Sequence, residues 1–121
     1  QRCFASCDSR SFLIAIDYGY TAQELPKFPL GTLMSYRRHI ALENVLANPG
    51  QQDITAHVDW DAFLHAAFSL GWRLHSFSRL DRSLLSLGES FLHSLHLAHP
   101  PQLKQLLFEL GPRFDVVILA K

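Results

Sequence analysis

The chain has little of several residue types whose abundance marks special classes of protein. Its 121 residues include only 2 Cys, 6 Gly and 6 Pro, which excludes a disulfide-stapled scaffold, a collagen-like fibre and a low-complexity linker. Its uninterrupted apolar runs, such as residues 12–16, are far shorter than the roughly 20 residues that span a bilayer. We therefore predict one soluble globular domain that has no contact with a membrane.

An excess of charge of either sign is also lacking, because eleven Lys and Arg balance eleven Asp and Glu. The chain thus offers no field that would steer nucleic acid. The two cysteines, Cys3 and Cys7, are too few and too close together for a disulfide framework, and without a second cysteine pair they predict no zinc site. No signal peptide is visible. We expect a reducing, intracellular location.

About three strands and four helices are expected, which indicates an α/β fold. Residues 12–16 (FLIAI) suit a parallel-type strand that is buried on both faces, and residues 72–78 and 114–120 suit two further strands. Asp59 is a good N-cap for a helix whose apolar residues repeat at helical spacing up to the stop at Gly71. Further helices are expected at 81–87, at 89–98 and from Pro100 to Gly111.

Residues 20–58 read as a long, partly ordered excursion, because prolines, glycines and mixed patterns interrupt them. Excursions of this length in compact domains are usually functional. Just before it, residues 17–20 (DYGY) follow a buried strand, at the edge where open α/β sheets bind ligands. Asp17 is placed there to meet a cation or a hydroxyl. The alternative is a turn in which Asp17 accepts backbone N–H groups and Gly19 supplies a positive φ.

Residues 53–59 (DITAHVD) alternate polar and apolar side chains. An extended backbone would present Asp53, Thr55, His57 and Asp59 on one face, as a polar wall. The alternative is that the three apolar residues pack inward while the polar ones are solvated and Asp59 only caps its helix.

Two other polar groups were considered as binding sites. His93, His96 and His99 are spaced three apart, but on a helix that ends at Pro100 they do not converge, so no metal site is predicted. The short basic stretch at residues 37–39 (RRH) could contact an anion, and a solvated surface is the alternative. Glycine-rich phosphate loops and the common hydrolase motifs are missing from the sequence.

Several blocks occur in an order and at separations typical of one enzyme family. They are residues 14–20 (IAIDYGY), Gly31-Thr-Leu with Tyr36 and His39, Pro49-Gly50, residues 53–60 (DITAHVDW), and Leu110-Gly111 with Arg113-Phe114 ahead of VVIL at 116–119. Through these blocks the chain resembles the C-terminal part of the MidA family. These are S-adenosylmethionine-dependent methyltransferases that include the mitochondrial complex I assembly methyltransferase.

The resemblance implies the C-terminal portion of a class I, Rossmann-like methyltransferase fold, in which residues 1–121 form one segment and the last strand is antiparallel to its neighbours. Residues 20–58 would line the substrate cleft. The glycine-rich loop of the family would precede Gln1, so S-adenosylmethionine is expected to bind outside this chain. The isolated chain is expected to have little or no catalytic activity.

Protein arginine methylation is described for some members, and a guanidinium is well matched by carboxylates. Through the resemblance, the candidate catalytic residues are Asp17, Tyr18, Asp53 and Asp59. The candidate substrate-binding residues are Gly19, Tyr36, His39, Thr55 and His57.

The alternative function is a non-catalytic binding or assembly module derived from such an enzyme. In either case the partners expected are a protein substrate and, along the edge of strand 12–16, the missing N-terminal half or a second copy. The compartment would be the bacterial cytoplasm or the mitochondrion.

Overall fold

The computed structural model describes residues 10–42 and 44–121, so Cys3 and Cys7 lie outside the described residues. The strands are β1 (Phe12–Asp17), β2 (Gly19–Tyr20), β3 (Met34–Arg37), β4 (Ile40–Leu42), β5 (Asp53–Thr55), β6 (Val58–Asp59), β7 (Arg73–Arg79) and β8 (Asp115–Ala120). The helices are α1 (Trp60–Ser69), α2 (Leu80–Leu85), α3 (Glu89–Ala98) and α4 (Pro100–Lys104), with a 3-10 turn at Leu25–Lys27 and a π-helical segment at Gln105–Leu110. The fold is mixed α/β.

The main sheet contains the three strands that the sequence predicts, in the order β1-β8-β7. The last strand is confirmed as antiparallel to both neighbours: Phe12 pairs with Ala120 on one side and Arg73 with the same residue on the other. Strands β1 and β7 therefore run in the same direction, and both end beside Asp115. Polar side chains that follow these strands are thus brought to one edge of the sheet.

The prediction that residues 12–16 are buried on both faces is wrong. Leu13 and Ala15 pack against the core, whereas Phe12, Ile14 and Ile16 are 68%, 63% and 51% exposed. Side chains alternate across a strand, and among the described residues only one face of β1 is covered. The parallel-type reading is also wrong for the pairing described, because the hydrogen-bonded neighbour of β1 is the antiparallel β8.

The core lies between this sheet and α1. Its fully buried members come from α1, from the residue before β7 and from β8: Trp60, Ala67, Trp72, Val117 and Leu119. The predicted cap is confirmed, since Asp59 accepts a hydrogen bond from the Ala62 N–H at 3.0 Å. Gly71 ends the helix at φ +83°, as expected of a residue without a side chain.

The later helices follow the prediction apart from the bounds of α2 and the π-helical segment before Gly111. Helix α3 covers residues 89–98 as expected, and α2 begins one residue earlier than predicted and ends at Leu85. The helix that Pro100 opens is α-helical only to Lys104 and continues as the π-helical segment up to Gly111. Within the described residues, no helix is long and apolar enough to cross a membrane.

Residues 20–58 are more regular than predicted. Strands β3, β4 and β5 form a small antiparallel sheet in the order β4-β3-β5, and β2 and β6 form a short parallel pair. Residues 53–59 are not one continuous strand, because β5 and β6 are separated by Ala56 and His57. The expected inward packing fails for Ile54 and Ala56, which are exposed, and holds in part for Val58.

Candidate functional site

The carboxyl end of β1 meets β6 through Tyr18. The Tyr18 carbonyl accepts a hydrogen bond from the Val58 N–H at 2.8 Å, and the Tyr18 N–H donates to Asp17 Oδ1, also at 2.8 Å. The Tyr18 ring lies 4.0 Å, between centroids, from the Phe114 ring. These contacts fix Tyr18 between the main sheet and the 20–58 region, and they confirm that Asp17 accepts a backbone N–H in the turn.

A cavity of about 390 Å³ opens beside Tyr18. Four predicted site residues line it, Tyr18, Tyr36, Thr55 and His57, and two further residues complete it, Thr32 and Met34. The pairing of β3 with β5 explains the convergence, since Met34 lies opposite Thr55 and Tyr36 opposite Asp53. Residues two apart on a strand share a face, so both strands direct alternate residues into this region.

His57 is held on the wall of this cavity by three contacts. Its backbone N–H donates to Thr32 Oγ1 at 3.0 Å. Its ring stacks on Tyr18 with the centroids 6.3 Å apart and meets the Phe28 ring edge-on at 5.2 Å. Thr32 belongs to the Gly31-Thr-Leu block of the family resemblance, but no pattern in the sequence links Thr32 or Phe28 to His57, because these contacts bridge 25 or more residues of chain. The wall is therefore aromatic and hydroxylic.

His39 and Asp53 lie in a neighbouring cavity of about 600 Å³, which Tyr36 and Arg38 also line. Tyr36 is common to both cavities. The structure thus divides these predicted site residues between two cavities that share Tyr36, rather than placing them along a single wall.

Gly19 and Asp59 are not among the lining residues of either cavity. A Cβ on Gly19 would overlap the indole ring of Trp60. The positive φ expected for Gly19 is not observed, so close approach rather than backbone conformation is what requires glycine there. Asp59 immediately precedes Trp60 and caps its helix.

A buried polar network that the sequence did not reveal supports this edge of the sheet. Trp60 Nε1 donates to Asp115 Oδ2 at 2.9 Å, and Arg79 Nη1 lies 3.0 Å from Asp115 Oδ1. Burial raises the pKa of Asp115 above its usual range, against the opposing effects of the Trp60 hydrogen bond and the Arg79 charge. The residues involved are far apart in sequence, so no local pattern indicated them.

Arg79 extends this network to the start of the 20–58 region, because its Nη2 lies 3.7 Å from Glu24 Oε1. Lys27 lies 3.2 Å from the same oxygen. Partial burial alone would raise the pKa of Glu24, but hydrogen bonds from Lys27 and the Thr21 N–H, with the charges of Lys27 and Arg79, outweigh it and lower that pKa. The segment leading to Phe28 is thereby tied to the main sheet.

Metal ligation was tested on geometry. In the described part of the chain, no group of three or more His, Cys, Asp or Glu side chains is arranged to hold a metal ion. His93 and His96 lie on α3, and His99 is the residue at which that helix ends.

The fold and this site place the chain among mixed α/β proteins that have candidate ligand groups at the carboxyl edge of their main sheet. Residues 2–78 match the model of a family described as S-adenosyl-L-methionine-dependent methyltransferases. The match covers more than half of the chain, and the chain belongs to this family. No curated protein matches the sequence.

Two solved structures from Burkholderia thailandensis are similar to the chain over most of its length. One is a native crystal structure of a COG1565 superfamily protein, with a TM-score of 0.73, 27% identity, and coverage of 93% of this chain and 33% of that chain. The other is a COG1565 superfamily member bound to S-adenosyl-homocysteine, with a TM-score of 0.70, 27% identity, and coverage of 91% and 32%. The chain spans about a third of the length of these structures.

Proposed function

We propose that this chain forms the C-terminal portion of a class I, Rossmann-like methyltransferase of the MidA type and supplies its acceptor-binding side. The observation that carries the proposal is the convergence of Tyr18, Tyr36, Thr55 and His57 on one cavity at the carboxyl end of β1, which we call the acceptor cavity. That edge is where open α/β sheets bind ligands. In this proposal, residues 20–58 form the outer wall of the substrate cleft.

The acceptor that best suits the acceptor cavity is the guanidinium of a protein arginine. Tyr18 and Tyr36, each 39% exposed, offer aromatic faces to a planar cation. Thr55 offers a hydroxyl oxygen to its N–H groups. Asp17 immediately precedes Tyr18, and Asp53 is the register partner of Tyr36. We propose that these two carboxylates, which do not line the cavity themselves, offset the positive charge from its margin.

Methyl transfer to nitrogen is an in-line displacement that needs little covalent participation by the protein. We propose that Asp17, Tyr18 and Asp53 bind and orient the acceptor nitrogen, and that His57 and Thr55 fix the plane of the group. His39 would contact the substrate next to the acceptor side chain. Asp59, also a candidate catalytic residue, has a capping role as well, so its substitution affects stability independently of chemistry.

S-adenosylmethionine does not fit the acceptor cavity. The ribose hydroxyls of a nucleoside cofactor are commonly held by a carboxylate, and none of the six residues that line this cavity carries one. We therefore propose that the cofactor binds to a part of the domain outside these residues. The chain's own contribution is binding and orientation of the acceptor.

The acceptor assignment is tested by titrating a short arginine-containing peptide into the isotope-labelled chain and following backbone and histidine resonances. We expect shifts at Tyr18, Tyr36, Thr55 and His57. Tyr36→Ala should weaken binding about fivefold through loss of one cation–π contact. Phe108→Ala is the matched control, because this aromatic residue is exposed and lies on the π-helical segment, away from the cavity. No shift at the four residues would reject the assignment.

Two further measurements separate this proposal from a non-catalytic binding module. In a complete family member, Asp17→Ala should lower methyl transfer to an arginine peptide, and unchanged transfer would remove Asp17 from the proposed site. Calorimetric titration of S-adenosyl-homocysteine into the chain should show no tight binding. Tight binding would contradict our location of the cofactor. A complete relative that binds protein but transfers no methyl group would favour the binding module.

A further inference from the structure

We propose that the turn between β3 and β4 is a docking site for an acidic segment of the substrate protein. The turn consists of Arg37, Arg38 and His39, which we call the basic tip. The proposal rests on the proposed function, in that it names a second feature of the same substrate. It concerns the cavity beyond Tyr36 rather than the acceptor cavity itself.

The first observation is the backbone of the basic tip. Arg37 pairs with Ile40, so Arg38 and His39 are the two central residues of the hairpin turn. Both have left-handed backbones, with φ of 51° and 64°. Turns of this geometry favour Asn-Gly, because side chains with a Cβ are strained there. The chain does place glycine at positive φ elsewhere, for example at Gly31 and Gly50.

An arginine and a histidine thus occupy two positions at which glycine would be more stable. Backbone strain of this kind is often found at residues that bind ligands. The strain by itself does not identify a ligand, and the surroundings of the two side chains supply that evidence.

The second observation is that Arg38 lines two surface cavities. The larger, of about 600 Å³, contains Tyr36, His39 and Asp53, and the smaller, of about 390 Å³, contains Arg37 and Asn48. Arg38 therefore lies between two depressions that an extended chain could occupy together. Tyr36 also lines the acceptor cavity. A segment bound in the larger cavity would therefore reach the proposed acceptor site by passing the Tyr36 ring.

The third observation is the local charge. Arg37 Nη2 hydrogen-bonds the neutral amide of Gln51 at 3.3 Å, and none of the ion pairs found among residues 10–42 and 44–121 includes Arg37 or Arg38. In the larger cavity the carboxylate of Asp53 faces Arg38 and His39, and in the smaller cavity Arg37 and Arg38 face no lining carboxylate. Over the two cavities the lining residues include two arginines and one carboxylate, although the whole chain is neutral.

An acidic protein segment suits this surface better than a polyanion such as nucleic acid. Arginine binds carboxylates through paired N–H donors, and two arginines accommodate only a few acidic residues. A nucleic acid partner would need an extended basic surface and a net positive charge, which the balanced composition does not provide.

The test compares binding of two fluorescent peptides that share a central arginine. In one peptide aspartates flank the arginine, and in the other asparagines do. We expect the acidic peptide to bind more tightly, with the advantage lost at an ionic strength of about 0.5 M. Arg38→Gln should weaken the acidic peptide about fivefold and leave the asparagine peptide unchanged. Arg82→Gln, an exposed arginine on α2, is the matched control and should change neither.

Arg38→Gly guards against misfolding as an explanation. It relieves the left-handed strain, so we expect a higher melting temperature together with weaker binding of the acidic peptide. Equal binding of both peptides to the unmodified chain would overturn the proposal, as would equal losses for both peptides in Arg38→Gln. Tighter binding of a single-stranded oligonucleotide than of the acidic peptide would also overturn it.

A third peptide distinguishes failure of this proposal from failure of the proposed function. It keeps the aspartates but has alanine in place of the central arginine. If it binds as well as the acidic arginine peptide, the acceptor assignment fails while docking at the basic tip stands. If only the arginine matters and the aspartates do not, the acceptor assignment stands and the docking proposal fails.

Discussion

Replacing Asp115 with alanine should destabilise the chain strongly, because this carboxylate satisfies a donor in the centre of the core. Trp60 is 1% exposed and Asp115 6% exposed, and the indole N–H donates to the carboxylate at 2.9 Å. Alanine removes this acceptor and leaves the N–H buried without a partner. It also removes the partner of Arg79, which lies 3.0 Å from the other carboxylate oxygen.

The two losses differ in size. A hydrogen bond to a charged group in the interior contributes about 1.5–3 kcal/mol, and an orphaned buried donor costs a similar amount. The Arg79 side chain is 38% exposed and can turn towards water, so loss of the ion pair between Arg79 and Asp115 adds at most about 1 kcal/mol. We therefore expect Asp115→Ala to lower the free energy of unfolding by about 2–4 kcal/mol. That is a large share of the 5–15 kcal/mol typical of a domain.

Urea unfolding followed by tryptophan fluorescence measures this loss directly, because both tryptophans are buried in the core. Asp115→Asn should cost clearly less than Asp115→Ala, since its amide oxygen can still accept from the indole. Glu109→Ala removes an exposed carboxylate and should change stability by no more than about 0.5 kcal/mol. A cost for Asp115→Ala no larger than that of Glu109→Ala would refute the reasoning.

Four more outcomes follow from the same geometry. Because the pKa of Asp115 is raised above 3.8, the unmodified chain should gain stability relative to Asp115→Asn as the pH falls through the folded-state pKa towards 3.8. Unfolding midpoints measured across that pH range should show this gain. A loss of stability over the same range would mean that the pKa is lowered. Gly31→Ala should cost only roughly 1–2 kcal/mol of backbone strain, because a Cβ at that position meets nothing within 4 Å. Gly19→Ala should cost more, because a Cβ at residue 19 overlaps Trp60. Equal denaturation midpoints for the two variants would contradict the overlap. Asp59→Ala should cost about 1 kcal/mol and Asp59→Asn much less, which thermal unfolding can distinguish. The exposed apolar face of β1 and its free edge among the described residues predict self-association that Ile14→Lys suppresses, and a monomer at high concentration in sedimentation would count against it.

Features that depend on neighbouring residues were predictable from the sequence. Helix α1 begins and ends where Asp59 and Gly71 indicate, because capping and left-handed stops act within one turn. The antiparallel last strand followed from the family resemblance, and the register of β8 with β1 and β7 confirms it. The alternation in DITAHVD groups Thr55 with His57, whereas their convergence with Tyr18 on one cavity depends on distant pairing that no local pattern shows.

Features that depend on distant pairing were not predictable. The small sheet was missed because its strands are only three or four residues long and its turn has Arg-His where Asn-Gly would signal a hairpin. Burial of both faces of β1 was predicted because its residues are continuously apolar. An apolar sequence does not show which residues will cover each face, and the described residues cover only one. The Trp60–Asp115–Arg79 network joins residues up to 55 positions apart, which no local spacing encodes.

One buried side chain, that of Trp60, explains several of the sequence patterns found near the carboxyl end of β1. The Trp60 indole lies against Gly19, follows the cap at Asp59 and hydrogen-bonds Asp115, whose register partner is Asp17. Gly19 and Asp59 thus have a demonstrable packing or capping role, whereas a chemical role for them remains a prediction. Tyr18 lies between Asp17 and Gly19, and its ring lines the acceptor cavity. Rigid packing around Trp60 therefore fixes one wall of the proposed site, and substitutions there should alter acceptor binding only through the position of Tyr18.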